Sequence, residues 1–411
     1  MSSVLSHRAL GAAPLVATFL ALVSIGCASS STDESAPAAL DSESRAAQQP
    51  GSSAAVAEGD AAAVDPAHGA PSIEDTIDLF LSHYVQRLGA VEVHRRAIPG
   101  GEEITLSSPK LKGPGNEPQL LIHKGGATGD VIVLCHGLSD SPYYMRAIGD
   151  RLFAAGANIV LPLLPAHGLI DPDEAMEDGN LDRKWVAAFD HAVDVAEQLG
   201  GRISLGGFST GGTLSVHKAL REPERINGGL LLFAAALGVG SVSENLAWSF
   251  FAIPQIAKWL DGHYQGRGPN PYKYPAFPQF GGLELIDLIH DINRMMAEGG
   301  GPQQPIFAVH SIHDAAAMPR GVGNLLRADG VRGVAIVFAA NPPLEHARLT
   351  LAEDIALEPA YIREGENPPR PRAFPAFEGM MDLTLRFFEQ LPGSVAKRAE
   401  RTSQQDALEQ P

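Results

Sequence analysis

Apolar and polar positions along this chain fall into a regular alternation from residue 72 onward. Ser72 can cap a helix whose Ile73, Ile77, Phe80, Leu81, Tyr84 and Leu88 share one face. Residues 131–135 form a short, wholly apolar run, as expected of a strand buried on both faces. An amphipathic helical stretch over 143–155 follows, then a second apolar run over 157–164 and a longer helical pattern over 182–199. The order continues with a strand over 202–208, a helix over 210–220 and a strand over 229–236. After an interruption come a strand over 305–310, a helix over 321–327, a strand over 333–339 and a last helix over 374–390. Strands alternating with helices in this way predict a mostly parallel central sheet with crossover helices on both faces.

Three segments stand outside the rhythm. The interruption, about 238–301, concentrates Trp248, Phe250, Phe251, Trp259, Tyr264, Tyr272, Tyr274, Phe277 and Phe280 in a chain that is 6% aromatic. An insertion of that length between two sheet strands usually carries function. Residues 28–71 are Ala, Ser, Gly, Asp, Glu, Gln and Pro with almost no large apolar side chains. They cannot bury enough surface to offset their ordering entropy and are expected to be a disordered tether, as is the tail 394–411. The folded part is then expected to span 72–393, with the insertion as a cap. No internal repeat is present.

The first 27 residues read as an export signal: His7 and Arg8 precede an apolar run over 9–25 that ends in small residues. Its end, Val23-Ser24-Ile25-Gly26-Cys27, resembles a bacterial lipoprotein signal, with Ser24 where that family usually carries Leu. The resemblance implies lipidation of Cys27 and a membrane-anchored protein of the cell envelope. Ordinary cleavage near Ala28 is the competing reading, giving a periplasmic or secreted protein.

Composition narrows the function. At 45% hydrophobic and 19% charged the chain can bury an ordinary core, and its net charge of -17 repels phosphate backbones, which argues against nucleic acid as a partner. Two cysteines, Cys27 and Cys135, make neither a disulfide framework nor a metal-site spacing, and no cofactor motif or metal constellation appears. Cys135 is expected to be a buried strand residue. No feature of the sequence sets an oligomeric state.

The chemistry gathers at strand ends. Gly207-Phe208-Ser209-Thr210-Gly211 matches G-x-S-x-G and lies between a strand and a helix, the setting in which the flanking glycines allow a sharp turn that exposes a nucleophilic serine. Outside that setting the same five residues are a glycine-rich turn with no chemistry. His136-Gly137-Leu138-Ser139-Asp140-Ser141-Pro142 follows the 131–135 strand and can supply a backbone N–H to an oxyanion. The candidate donors are Leu138 and Thr210, with His136 orienting the loop. Around such an elbow the chain order is serine, acid, histidine. The first carboxylate after the 305–310 strand is Asp314, and the first histidine after the last strand is His346. A carboxylate on one ring nitrogen of His346 would fix the tautomer that takes the serine proton. Asp314 can otherwise cap the residues that follow it, and His346 can be an ordinary loop histidine. His310 and His313 rival His346, and Asp287 and Asp291 rival Asp314, from less suitable places. His167 is expected in a loop near the pocket.

Together these pieces, with Pro165-Ala166-His167-Gly168, Trp185 and Glu345-His346, resemble bacterial carboxylesterases and monoacylglycerol-lipase-like members of the α/β-hydrolase superfamily, over about 131–390. The chain departs from them in having Ala166 where Gly-His-Gly is common. The resemblance implies an α/β-hydrolase fold, a Ser209, Asp314, His346 triad, a cap at 238–301, no cofactor and a small-molecule ester substrate of short-to-medium acyl or monoacylglycerol type. An acyltransferase or cofactor-free haloperoxidase-like activity would use the same triad. A non-catalytic surface lipoprotein with a hydrolase fold would need none.

Overall fold

The computed structural model describes residues 72–126, 129–238, 266–339 and 344–392. The export signal with Cys27, the tether, the tail and Trp248, Phe250, Phe251, Trp259 and Tyr264 lie outside the described residues. Helix α1 (Ile73–Leu88) opens with a capping box: the Asp75 N–H donates to Ser72 Oγ at 3.1 Å, and the Ser72 N–H donates to Asp75 Oδ2 at 2.9 Å. Its buried face, Ile77, Phe80, Tyr84 and Leu88, is the one the periodicity predicts.

Three strands that the sequence reading does not contain come next: β1 (Glu92–Ile98), β2 (Gly101–Ser107) and β3 (Gln119–His123). They pair antiparallel, and Pro99 and Gly100 (φ 86°) form the two-residue turn between β1 and β2. Then follow β4 (Asp130–Cys135), α2 (Tyr143–Ala154), β5 (Asn158–Leu161), a short α3 (Asp173–Met176), α4 (Leu181–Gln198), β6 (Arg202–Phe208), α5 (Thr210–Arg221) and β7 (Leu230–Phe233). The chain ends with α6 (Gln279–Gly299), β8 (Ile306–Ser311), α7 (Pro319–Arg327), β9 (Gly333–Phe338) and α8 (Phe377–Gln390).

The sheet order is β1-β2-β3-β5-β4-β6-β7-β8-β9, antiparallel through the β3–β5 pair and parallel from β5 to β9. The sheet is therefore mixed, with the parallel part where the alternation predicts it. Its central strands are covered on both faces. Val131, Val133 and Cys135 of β4 face a layer with Phe80, Trp185, Phe189 and Leu214, while Ile132 and Leu134 face Met145, Ile148, Leu152 and Phe388. Each such side chain stabilises the fold by about 1.5–3 kcal/mol when fully buried. From β4 the chain steps to β5 on one side and then to β6 on the other. That reversal opens a crevice beyond the carboxyl ends of β4 and β6.

Helix α6, inside the predicted insertion, packs Leu285, Leu288, Ile289 and Ile292 into the same layer as Leu214 and Val216 of α5. Glu284 on α6 is buried, and its Oε2 accepts the Asp182 N–H at the start of α4 at 3.1 Å. Burial raises its pKa from the ordinary 4.5 to about 7, with the carboxyls of Asp182 and Asp287 adding to the rise against the Asp182 N–H. The native state thus holds a proton that the unfolded chain releases. This stability is full below about pH 4.5 and is lost as pH rises through about 7. Glu284→Gln keeps the acceptor without the titration, so its melting temperature should decline less between pH 5 and 8 than the parent's. Parallel melting curves over that range would refute this account of α6 docking. Among the described residues no helix is long and apolar enough to cross a membrane.

Candidate active site

The close approach of three strand ends explains the glycines around Ser209. A Cβ on Gly211 would lie 2.0 Å from the Cys135 carbonyl oxygen, and one on Gly207 would lie 2.5 Å from the same atom. Only glycines let the turn sit this tightly on β4. Between them Ser209 adopts φ 52°, a left-handed conformation costly for a non-glycine residue. It is held there by its N–H on the Phe233 carbonyl (3.1 Å) and by its carbonyl, which accepts the Thr213 and Ala236 N–H groups (3.1 and 3.2 Å). Thr210 is the first residue of α5, where backbone N–H groups have no intrahelical acceptor.

The loop after β4 is built by His136. Its Nδ1 donates to the Gly137 carbonyl at 2.8 Å, and its Nε2 accepts the Leu164 N–H at 3.2 Å. Burial lowers its pKa to about 4, so the ring is neutral and serves as a brace. His167 is also buried and donates from Nδ1 to the Pro165 carbonyl at 2.8 Å. The departure at Ala166 has a cost: it sits at φ 66°, where glycine would be unstrained. The Tyr274 hydroxyl holds this turn, donating to the Ala166 carbonyl (2.8 Å) and accepting the Leu169 N–H (2.9 Å).

Asp314 follows β8 and is buried. Its Oδ1 accepts the N–H groups of Ala316 and Ala317, both at 2.9 Å, and its Oδ2 lies 2.6 Å from His346 Nδ1. The capping role and the histidine contact read from the sequence are thus both present, one on each oxygen. Burial alone would raise the Asp314 pKa, but the hydrogen bond and charge of His346, the Ala317 N–H and His310 together pull it below the usual range. His346 opens a 3-10 turn and lies against the Phe208 ring, with centroids 4.6 Å apart. Its rivals fall elsewhere. His310 is buried behind Asp314, donating from Nε2 to the Ala317 carbonyl at 2.8 Å, with that nitrogen 3.5 Å from Asp314 Oδ2. His313 is exposed. Asp291 pairs with Arg294 on α6, and neither Asp287 nor Asp291 lines the cavity that holds Ser209.

That cavity is about 420 Å³ and its lining includes Leu138, Ser209 and His346. On the insertion side, Leu283, Leu285 and Ile286 of α6 form an aliphatic part of its wall. Of the four aromatics of the insertion that are described, Tyr274 and Phe277 reach it, whereas Phe280 is buried in α6 and Tyr272 stacks on Tyr143 with centroids 3.5 Å apart. Cys135 is a buried strand residue, its thiol pKa pushed up by burial. No group of three or more His, Cys, Asp or Glu able to hold a metal ion occurs among the described residues.

Residues 132–278 match the alpha/beta hydrolase family. A stretch of 115 residues is 28% identical to a thermostable monoacylglycerol lipase of Bacillus sp. (strain H-257), covering 28% of this chain and 44% of the lipase, so the match spans less than half of that relative. Among solved structures, one reported for the metagenome-derived lipolytic enzymes LipS and LipT is 20% identical with a TM-score of 0.51, over 67% of this chain and 98% of that one. A soluble variant of monoglyceride lipase from Saccharomyces cerevisiae, solved with a substrate analogue, is 11% identical with a TM-score of 0.47, over 74% of this chain and 97% of that one. The chain has the α/β-hydrolase fold, and over these stretches it is similar to the alpha/beta hydrolase family and to a monoacylglycerol lipase.

Proposed function

We propose that this chain is a serine hydrolase that cleaves carboxylic esters, of short-to-medium acyl or monoacylglycerol type, through an acyl-enzyme on Ser209. The observation that carries this reading is a serine on a strained strand-to-helix turn and His346 lining the same cavity, with His346 Nδ1 lying 2.6 Å from the buried Asp314. A ring whose Nδ1–H is held by a carboxylate keeps its Nε2 lone pair as the base. Ser209 Oγ then adds to the ester carbonyl as its proton passes to His346. The Leu138 and Thr210 N–H groups take up the negative charge on the carbonyl oxygen, and the alcohol leaves with the proton from His346. Water repeats the sequence on the acyl-enzyme and releases the acid.

The aliphatic wall from α6 supports an acyl chain as the apolar part of the substrate. Burial of each methylene stabilises binding by about 0.8 kcal/mol, so kcat/KM should rise about three- to fourfold per carbon until the cavity is full. Two measurements test the reading: turnover of a p-nitrophenyl ester series from acetyl upward, and labelling by a fluorophosphonate probe with peptide mapping. Rising turnover and a single adduct on Ser209 are expected. An absence of both turnover and adduct would refute the reading.

A further inference from the structure

The candidate oxyanion loop carries a feature that opposes its own task. Asp140 lies two residues beyond Leu138, is only 1% exposed and lines the same cavity as Ser209. Its carboxylate folds back onto the loop: a Cβ placed on Gly137 would meet Asp140 Oδ2 at 2.7 Å. A negative charge buried beside a developing oxyanion raises the energy of every tetrahedral intermediate, because the interaction is poorly screened away from water.

The segment leading into α6 supplies the compensation. Lys273 Nζ donates to Asp140 Oδ1 at 2.9 Å, and the next residue's N–H, that of Tyr274, donates to the Ser139 carbonyl at 2.9 Å. Ser139 itself sits at φ 64°, so the loop is held in a strained form at the point where this segment grips it. Lys112 is a further cation within electrostatic reach of Asp140. It donates to the Lys273 carbonyl and lies over the Tyr274 ring, and burial lowers its pKa to about 8. His136, neutral through burial, adds no charge.

We infer that Lys273 is a charge-compensating residue of the active site, cancelling Asp140 so that the loop bearing the Leu138 N–H can stabilise an oxyanion. The inference rests on the hydrolase reading above. It assigns a site function to a residue 133 positions from its partner in sequence. Its kinetic signature is specific. The substrate carbonyl is neutral in the ground state and anionic in both acylation and deacylation, so the effect falls on kcat and spares KM.

The experiment is steady-state kinetics on p-nitrophenyl butyrate for the full chain, S209A, K273M, K273R and the double variant D140N/K273M. K273M should lower kcat by about 10- to 100-fold with KM within about threefold, whereas K273R should retain most of the rate. Removing the carboxylate as well should restore kcat, leaving D140N/K273M within about fivefold of the parent. A side chain that only braced the loop or touched the substrate would give no such recovery. The inference is overturned if K273M keeps the parent's kcat, or if the double variant is as slow as K273M or slower. Lys273 is one-third exposed, so methionine opens no core cavity. If K273M nonetheless fails to fold, K273Q is read by the same criteria. Failure of the underlying reading looks different: the parent shows no turnover, or S209A is as active as the parent, and then both conclusions fall.

Discussion

Replacing Ser209 with alanine is expected to lower kcat on a p-nitrophenyl ester by about 10⁴- to 10⁶-fold, the range seen when one member of a catalytic unit is removed. The substitution deletes one oxygen and leaves the turn intact. The backbone bonds that hold residue 209, to Phe233, Thr213 and Ala236, do not involve its side chain. Alanine at φ 52° bears about the same strain as serine, and the glycines that allow the tight approach to Cys135 are untouched. The melting temperature should therefore stay near the parent's while the rate collapses, and fluorophosphonate labelling should vanish with it. A kcat within tenfold of the parent, in a variant shown free of parent enzyme, would place the nucleophile elsewhere.

Much of this arrangement was legible in the sequence because buried parallel strands are written as continuous apolar runs. Residues 131–135 and 306–309 are such runs, 202–208 carries Arg202 and Ser204 among its apolar positions, and each of these segments is followed within a few residues by chemistry-bearing side chains. Ser209, Leu138 and His346 do meet at one cavity, with Asp314 on His346. Of the antiparallel strands, β1 was missed for a physical reason. β1 is exposed along most of its length and carries His94, Arg95 and Arg96, so no apolar pattern marks it. The Pro99-Gly100 pair is a turn signal from which the hairpin could have been read. Helix α6 lies inside the insertion, and Gly281 and Gly282 near its start weaken its helical propensity. Gly281 packs closely: a Cβ there would lie 2.9 Å from Leu138 Cδ1. Lys273 left no signal, since its partner Asp140 is brought to it only in the fold, and His310 stood out only as a rival base, not as a neighbour of Asp314.

Asp314→Asn is expected to reduce kcat by about 10⁴-fold while the chain still folds, and this separates the carboxylate's two duties. One oxygen of Asp314 accepts the Ala316 and Ala317 N–H groups, and the asparagine carbonyl can do the same, so the loop after β8 keeps its shape. The other oxygen is replaced by an NH₂ group that donates toward His346 Nδ1 at the position now 2.6 Å from the carboxylate. The imidazole must then accept on Nδ1 and carry its proton on Nε2, the tautomer that cannot take a proton from Ser209. Loss of one charge-assisted hydrogen bond costs about 1.5–3 kcal/mol, enough to lower the melting temperature by several degrees without unfolding the chain at 25 °C. Because ester binding does not use the carboxylate, KM should change far less than kcat. The rival acids provide the contrast. Asp287→Asn and Asp291→Asn, on the outer part of α6, should keep near-parent rates. A D314N variant within tenfold of the parent, or a collapse at Asp287 or Asp291, would show that His346 is held by another carboxylate during turnover.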